Sequence, residues 1–189
     1  MGNKPVYKYN TEYVDVDNID IDDEEGYRYS MFVPFKNSIT DRFALVIMRN
    51  PSQADKTKSD KTINNVLRFC SKSYSGVYIA NLYPNYETDS KKVKHFIESD
   101  SYEEKMIKNF EAMDSLLDNN SIEEAIVAWG TNNAGSKYDE NYEENINKVL
   151  DKLNKANKRV FAMRFVSSKN PWHPRNWEES FDLELYPWI

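Results

Sequence analysis

Four short apolar runs constrain the fold of this chain more than any other feature of its sequence. The runs lie at residues 42–48, 76–81, 125–129 and 160–166. Each is almost continuously apolar, which is typical of strands that are buried on both faces of a sheet. Residues with helical spacing separate them, at 63–70, 91–97, 102–117 and 140–156. Because strands alternate with helices, the pattern predicts an α/β fold, a three-layer α/β/α sandwich around a mostly parallel central sheet.

Length and charge divide the chain into one domain and an acidic segment. A chain of 189 residues fits one domain. Residues 1–25 carry eight acidic side chains against two lysines, which accounts for the whole net charge of −6. We therefore predict that residues 1–26 form an acidic N-terminal appendage or edge strands, and that residues 27–189 form a single α/β domain. We expect the appendage to lie outside the functional site and to offer a surface for a protein partner.

Several classes of protein are disfavoured by composition. One cysteine and two histidines cannot build a disulfide framework or a zinc site, and the acidic segment lacks the spacing of a calcium loop. We expect no metal and no cofactor, since the common nucleotide-binding and hydrolase motifs are absent. No apolar stretch reaches the ~18 residues of a membrane span. We expect a cytoplasmic protein that does not contact a membrane, in a bacterial cell or a phage-infected host.

Polar residues follow each predicted strand, and these residues are the candidates for a site. Ligands of open α/β sheets bind beyond the carboxyl ends of the parallel strands. The residues in question are Arg49, Asn50, Ser52 and Asp55 after the first run, Asn81 and Tyr83 after the second, Trp129 at the end of the third, and Lys169, His173 and Arg175 after the fourth. Basic residues outnumber acidic ones in segments 49–72 and 159–177, so an anionic ligand, a nucleotide or nucleic acid, is expected there.

A different interpretation applies to every one of these residues. Asn, Ser, Pro and Gly are common in turns for conformational reasons alone, and Tyr83 and Trp129 are equally compatible with core packing. Two other reactive side chains are expected to play no role in a site. Cys70 falls on the apolar face of a predicted helix, and His95 lies in a lysine-rich one.

The ordered set of motifs resembles a bacterial and phage family known as domain of unknown function 1643. The likeness covers residues 42–175. It rests on the strings Val46–Asp55, Asp60–Ile63, Gly76–Tyr83 and Ala128–Gly130, and on the His173-Pro174 pair. The resemblance implies a fold and a shared arrangement of loops, without an assigned activity.

A more distant resemblance is to the uracil-DNA glycosylase superfamily. Asn50-Pro51 looks like its water-positioning motif, and His173-Pro174 looks like its base-contacting motif. The sequence departs from the superfamily where Arg49 replaces the usual glycines and where Arg175-Asn176-Trp177 follows the second motif. The resemblance implies a uracil-DNA-glycosylase-like fold, with Asn50 and His173 as the catalytic residues.

The residue types suit that chemistry. Cleavage of an N-glycosidic bond needs a group that holds water on one side of the sugar and hydrogen-bond donors for the departing base on the other. An Asn orients water but is a poor base, and a neutral His donates to a developing anion. Two hypotheses therefore stay open. One is an N-glycosylase acting on a nucleobase in a nucleotide or in DNA; the other is a non-catalytic nucleotide-binding or protein-interaction module, phage- or defence-related, on the same scaffold.

Overall fold

The computed structural model describes residues 7–86, 93–131, 141–167, 170–178, 180 and 182–187. Within these residues the chain forms nine strands and four α-helices. In chain order they are β1 (Asp20–Glu24), β2 (Tyr27–Pro34), β3 (Phe43–Met48), α1 (Lys61–Cys70), β4 (Gly76–Asn81), α2 (Val93–Ile97), α3 (Tyr102–Leu117), β5 (Ile122–Val127), α4 (Tyr142–Lys155), β6 (Arg159–Ala162), β7 (Phe165–Ser167), β8 (Asn170–Pro171) and β9 (Glu184–Leu185).

Seven strands form one mixed sheet in the order β1-β2-β4-β3-β5-β6-β9. The inner four, β4, β3, β5 and β6, are parallel to one another, with Met48 opposite Asn81 and Ile47 opposite Val127. The outer pairs β1–β2, β2–β4 and β6–β9 are antiparallel. The mostly parallel sheet is therefore confirmed, and the carboxyl ends of β3, β4, β5 and β6 share one edge. We call this the carboxyl edge.

The structure changes the bounds of two predicted strands. The third run begins and ends earlier than predicted, as β5. The fourth is interrupted, because the chain leaves the main sheet after Ala162 and forms the separate antiparallel pair β7–β8. The backbone N–H of Trp172 in the returning chain donates to the Arg164 carbonyl at 2.7 Å. This carbonyl of the segment that leaves the sheet is therefore hydrogen-bonded.

Helices cover both faces of the sheet because its inner strands are apolar on both faces. In β3, Leu45 and Ile47 belong to one buried cluster and Val46 to the other. The first cluster includes apolar residues of α2, α3 and α4, and the second includes those of α1. Asp60 begins α1 by accepting a hydrogen bond from the Ile63 N–H at 2.9 Å, which is a favourable N-cap.

The described part of the acidic segment packs against the domain. The predicted N-terminal hairpin is present as β1 and β2, joined by a turn at Gly26 with φ of 84°. Upstream of it, Tyr7 forms a β-bridge with Ser59, and Val14 and Ile19 are buried in the cluster that contains α1. The division at residue 26 stays a prediction.

No helix among the described residues is long and apolar enough to cross a membrane.

Candidate functional site

Backbone hydrogen bonds join the loops that leave β3, β4 and β5 at the carboxyl edge. The N–H of Leu82 donates to the Met48 carbonyl at 2.9 Å, and the N–H of Tyr83 donates to the Arg49 carbonyl at 2.9 Å. On the other side of β3, Ala128 donates to Ile47 at 2.8 Å. These bonds continue the sheet past its ends, so the loops that leave β3, β4 and β5 lie next to one another.

Three of the predicted ligand-binding side chains are enclosed by the protein. Asn81 and Tyr83 are 0% exposed and Trp129 is 1% exposed. With its amide nitrogen facing the next loop, Asn81 donates to the Asn50 carbonyl at 3.2 Å, and the Asn81 carbonyl accepts from Asn109 Nδ2 at 3.0 Å. Asn81 therefore supports the loop that contains Asn50 from the protein interior, and Asn50 itself is half-buried.

His173 reaches the same edge from the far end of the chain. A Cβ placed on Gly130, which has φ of 81°, would lie 3.4 Å from the His173 Cβ. Tyr142 donates through its hydroxyl to the Gly130 carbonyl at 2.8 Å, and the Arg49 guanidinium lies 4.8 Å from the centre of the Tyr142 ring. The loops after β3 and β5 and the His173 segment therefore form one neighbourhood.

The surroundings of His173 keep its imidazole neutral. Burial lowers the pKa of His173 to about 4, and the positive charges of Arg175 and Arg49 act in the same direction against Asp60. The backbone N–H of Arg175 donates to His173 Nδ1 at 3.2 Å. Since Nδ1 accepts, the single proton of the neutral ring lies on Nε2. His173 is thus a neutral hydrogen-bond donor at physiological pH.

Of the remaining predicted residues, Asp55 and Ser52 make local hydrogen bonds, Arg175 is exposed next to His173, and Lys169 lies outside the described residues. Asp55 is exposed, and its carboxylate accepts hydrogen bonds from the N–H of Thr57 at 2.7 Å and of Lys58 at 2.8 Å, which shapes its own turn. Ser52 accepts from the Ala54 N–H at 3.5 Å. Lys169 lies outside the described residues. Arg175 is exposed in a short 3-10 helix, residues 174–176.

Two charged residues of this edge are absent from the set that we predicted from the sequence. Arg28 is 0% exposed near the start of β2, where its backbone N–H donates to the Pro84 carbonyl at 2.8 Å. Its Nη1 donates to the Ala54 carbonyl at 2.9 Å, and its guanidinium lies 5.5 Å from the centre of the Tyr86 ring. Burial lowers the pKa of Arg28, although Tyr86, Asp60 and Tyr9 oppose that shift.

The second residue is Asp60. Its negative charge raises the pKa of Arg28 and of His173. One signal in the sequence pointed to Arg28. It is a charged residue inside a segment of aromatic and β-branched residues that alternates as a strand, and an inward-facing charge in such a strand calls for a partner.

The N-terminal segment holds the loop that follows β3. Tyr9 donates through its hydroxyl to the Asp55 carbonyl at 2.6 Å, and Asn64 Nδ2 donates to the Lys8 carbonyl at 3.1 Å. Residues 8 and 9 therefore contact α1 and the loop after β3. That the acidic segment lies outside the functional site stays a prediction.

Within the described residues, no three His, Cys, Asp or Glu side chains are arranged to hold a metal ion.

Comparison with known proteins gives one match. The model of a family described as "Protein of unknown function (DUF1643)" matches residues 28–175. No curated protein and no solved structure matches the chain. The matched segment contains the whole carboxyl edge, from Arg28 to Arg175.

Proposed function

This chain belongs to the DUF1643 family, and we propose that it is a glycosylase-like protein that binds a nucleobase or nucleotide at the carboxyl edge and hydrolyses its N-glycosidic bond. The observation that carries the proposal is the state of His173. It is a neutral donor through Nε2, next to Gly130 and close enough to Arg49 for that charge to affect its pKa. Asn50 follows Arg49 directly in the chain.

The proposed roles follow from charge. A base that leaves a sugar carries away the electron pair of the broken bond, so negative charge develops on the base. A hydrogen bond from Nε2 of the neutral His173 ring stabilises that charge, and the ring keeps its proton. Asn50 orients the water whose oxygen bonds to the sugar carbon, and the proton that this water loses passes to solvent while the released base takes up one proton and becomes neutral. Because an amide accepts protons poorly, turnover is expected to be slow compared with an enzyme that has Asp at this position.

The glycosylase-like fold is part of the same proposal. Two observations support a three-layer α/β/α sandwich of the uracil-DNA glycosylase kind. The four parallel strands are ordered β4-β3-β5-β6, and apolar clusters that include helix residues lie on both faces of the sheet. We place the protein in the cytoplasm of a bacterial or phage-infected cell as part of the proposal.

A second candidate is a non-catalytic binder on the same scaffold, in a phage or defence setting. The enclosure of Asn81 and Tyr83 favours it, because side chains that support a loop do not stack on a base. In this case, the exposed acidic residues of β1 serve as a contact for a basic protein.

The test compares base release and ligand binding in four variants. Nucleosides, nucleotides and short DNA strands are incubated with the full chain, and free base is quantified by chromatography. We expect Asn50→Ala to lower the rate by about 100-fold or more with nearly unchanged affinity, because Asn50 acts mainly in the transition state. His173→Ala is expected to weaken both, and Asn50→Asp to raise the rate. Asn154→Ala, an exposed amide of α4, is the matched control.

Undiminished release by Asn50→Ala would remove the hydrolytic mechanism and leave the binder. Loss of ligand binding in Asn154→Ala would show that the assay reports general damage to the protein.

A further inference from the structure

Helix α1 carries cations on its exposed side, in a chain whose net charge is −6. Lys61 and Arg68 are exposed, and their spacing of two helical turns places them on the same side of the helix. The other side is buried, with Val66 and Cys70 in an apolar cluster of the core. Lys72 is exposed in the turn that ends the helix. A positive surface therefore runs along the length of α1.

The charge of α1 is not balanced within the helix. Residues 61–70 include two basic residues and no acidic one, whereas α3 has four acidic residues and two basic ones. In α3 and α4, lysines pair with glutamates four residues away, as in Lys108–Glu104 and Lys148–Glu144. Asp60 caps α1 and offsets one of its charges. The exposed side of α1 therefore attracts anions, although the whole chain is acidic.

The positive surface continues to the carboxyl edge. Asn65, which lies between Lys61 and Arg68, donates through Nδ2 to the Pro174 carbonyl at 2.8 Å. Its Oδ1 accepts from Arg68 Nη2 at 3.2 Å. These bonds hold the 3-10 helix 174–176 against α1, and this helix carries the exposed Arg175. We call the four exposed cations the basic surface: Lys61, Arg68, Lys72 and Arg175.

A groove that is open to solvent lies beside this surface, between α1 and the segment after the 3-10 helix. Its lining residues are Asn65, Arg68, Phe69, Lys72, Trp177 and Glu178. Phe69 is half-buried, and its ring lies 5.6 Å from that of Trp177 in an edge-to-face contact. Two cations and one carboxylate thus border a groove with an aromatic wall. Cations for phosphates beside an aromatic ring for a base are the combination that binds single-stranded nucleic acids.

The dimensions of the basic surface suit one strand. Lys61 and Lys72 are eleven positions apart, which corresponds to about 16 Å along a helix. The surface is about one helix wide, or roughly 10 Å. These dimensions match a few nucleotides of a single strand, and an acidic peptide would make no use of the aromatic wall.

We propose that the basic surface binds the phosphates of a single-stranded nucleic acid, with a base packed against Phe69 in the groove. The inference goes beyond the proposed function, because it holds whatever the carboxyl edge binds or hydrolyses. Since Arg175 lies two residues after His173, the strand would pass next to the carboxyl edge.

The experiment measures the fluorescence anisotropy of labelled oligonucleotides mixed with the full chain at several salt concentrations. The probes are a thymidylate DNA strand of about 12 nucleotides, the uridylate RNA of the same length, and the DNA duplex. Unlabelled polyglutamate serves as a competitor. We expect the strands to bind with a Kd of about 10⁻⁴ to 10⁻⁶ M at physiological salt. The logarithm of the affinity should fall with that of the salt concentration with a slope of about −2 to −3, as for three or four phosphate contacts.

Two triple variants with equal net charge locate the binding surface. Lys61→Gln, Arg68→Gln and Lys72→Gln together should weaken binding by about tenfold or more at low salt and reduce the slope by about 2. The control combines Lys94→Gln, Lys148→Gln and Lys155→Gln, three exposed lysines that each pair with an acidic residue four positions away. Its affinity should stay within about twofold of the wild type. Thermal unfolding checks that both variants fold.

A second measurement uses the wild-type chain alone, in case the first triple variant does not fold. In ¹⁵N-labelled protein, titration with the thymidylate strand should shift the backbone amide resonances of residues 61–72 and 175–177. The resonances of α4 should not move.

Four results would overturn the inference: no salt-dependent binding of either strand, equal losses in the two triple variants, tighter binding of the duplex than of the single strand, or resonance shifts confined to other elements. Competition by polyglutamate at the same charge concentration would also overturn it, because the partner would then be an acidic protein. Asn50→Ala should bind the strand as the wild type does, so failure of the proposed hydrolysis and failure of strand binding are distinguishable.

Discussion

The two ends of the parallel strands differ in whether their enclosed polar groups are hydrogen-bonded within the protein. At the amino end, where β3, β5 and β6 begin, charged side chains have partners from the protein. Lys158 Nζ donates to the carbonyls of Asn119 at 3.2 Å and Ile122 at 2.6 Å, and Glu124 accepts from Tyr74 and Arg159. At the carboxyl edge, Asp60 Oδ2 and Trp129 Nε1 are enclosed and have no hydrogen-bond partner among the described residues.

The difference distinguishes polar groups that stabilise the fold from polar groups that are available to a ligand. A satisfied polar network lowers the free energy of the folded state, while unsatisfied buried groups raise it and are retained where they serve a function. We therefore expect substitutions at the amino end to cost stability and substitutions at the carboxyl edge to cost binding. Three predictions test this division.

The largest expected effect concerns the pH dependence of stability. Burial lowers the pKa of His173 to about 4, against about 6.5 in an unfolded chain. As the pH falls from about 6.5 to 4, the unfolded state takes up a proton that the folded state does not, so the free energy of unfolding falls by about 3 kcal/mol. Above pH 6.5 the ring is neutral in both states and contributes nothing to this dependence.

Denaturant unfolding at pH 7 and pH 4 checks this prediction. His173→Gln should lose about 3 kcal/mol less than the wild type over that interval. His95→Gln, at an exposed position of α2, is the control and should behave as the wild type. Equal losses in His173→Gln and the wild type would show that the carboxyl edge already accommodates the charged ring.

The second prediction exchanges one cation at each end for methionine. Lys158→Met leaves two carbonyls without their donor, and we expect it to cost about 1–3 kcal/mol with no change in ligand affinity. Arg28→Met removes a buried cation and leaves the Ala54 carbonyl without its donor, so we expect it to cost about 1–3 kcal/mol as well and, unlike Lys158→Met, to weaken ligand binding. Thermal and denaturant unfolding of both variants give the comparison. Unchanged ligand affinity in Arg28→Met, or a loss of affinity in Lys158→Met, would contradict the division.

The smallest effect comes from two glycines with the same backbone conformation. Gly26 has φ of 84° and open space around it, while Gly130 has φ of 81° and lies against His173. Alanine at either site should cost about 1 kcal/mol, because L side chains are strained at positive φ. Only Gly130→Ala adds a methyl group beside His173, so only this variant should weaken ligand binding, by several-fold. Equal affinities in the two variants would place His173 outside the site.

The fold was predictable from the sequence to the extent that apolar runs determine it. Strand β4 coincides with its predicted range, since glycine and asparagine bound an apolar segment there. The interruption after Ala162 was not predictable, because residues 160–166 keep their apolar character on both sides of Arg164. A backbone hydrogen bond from distant Trp172 redirects the chain, and that contact has no local signal.

Topology alone predicts which residues at the ends of the parallel strands lie close together. Parallel strands place Asn50 and Asn81 at one edge, and the two are joined by a hydrogen bond. Arg28 was not predicted as a site residue because it belongs to β2. This strand is antiparallel, so its beginning and not its end lies at the carboxyl edge. Asp60 was named only as part of the family string Asp60–Ile63, although one of its oxygens caps α1 and the other is enclosed in the protein.

The hairpin of β1 and β2 also has a consequence for how copies of this chain meet one another. A sheet that is open at its sides exposes backbone groups to which another sheet can add. Along β1, Asp20, Asp22 and Asp23 are exposed, so an approaching second β1 would bring like charges together. On the opposite side, β9 spans only Glu184–Leu185, too short to nucleate pairing. The acidic residues of β1 therefore oppose aggregation by charge repulsion, and this repulsion should weaken in concentrated salt or acid.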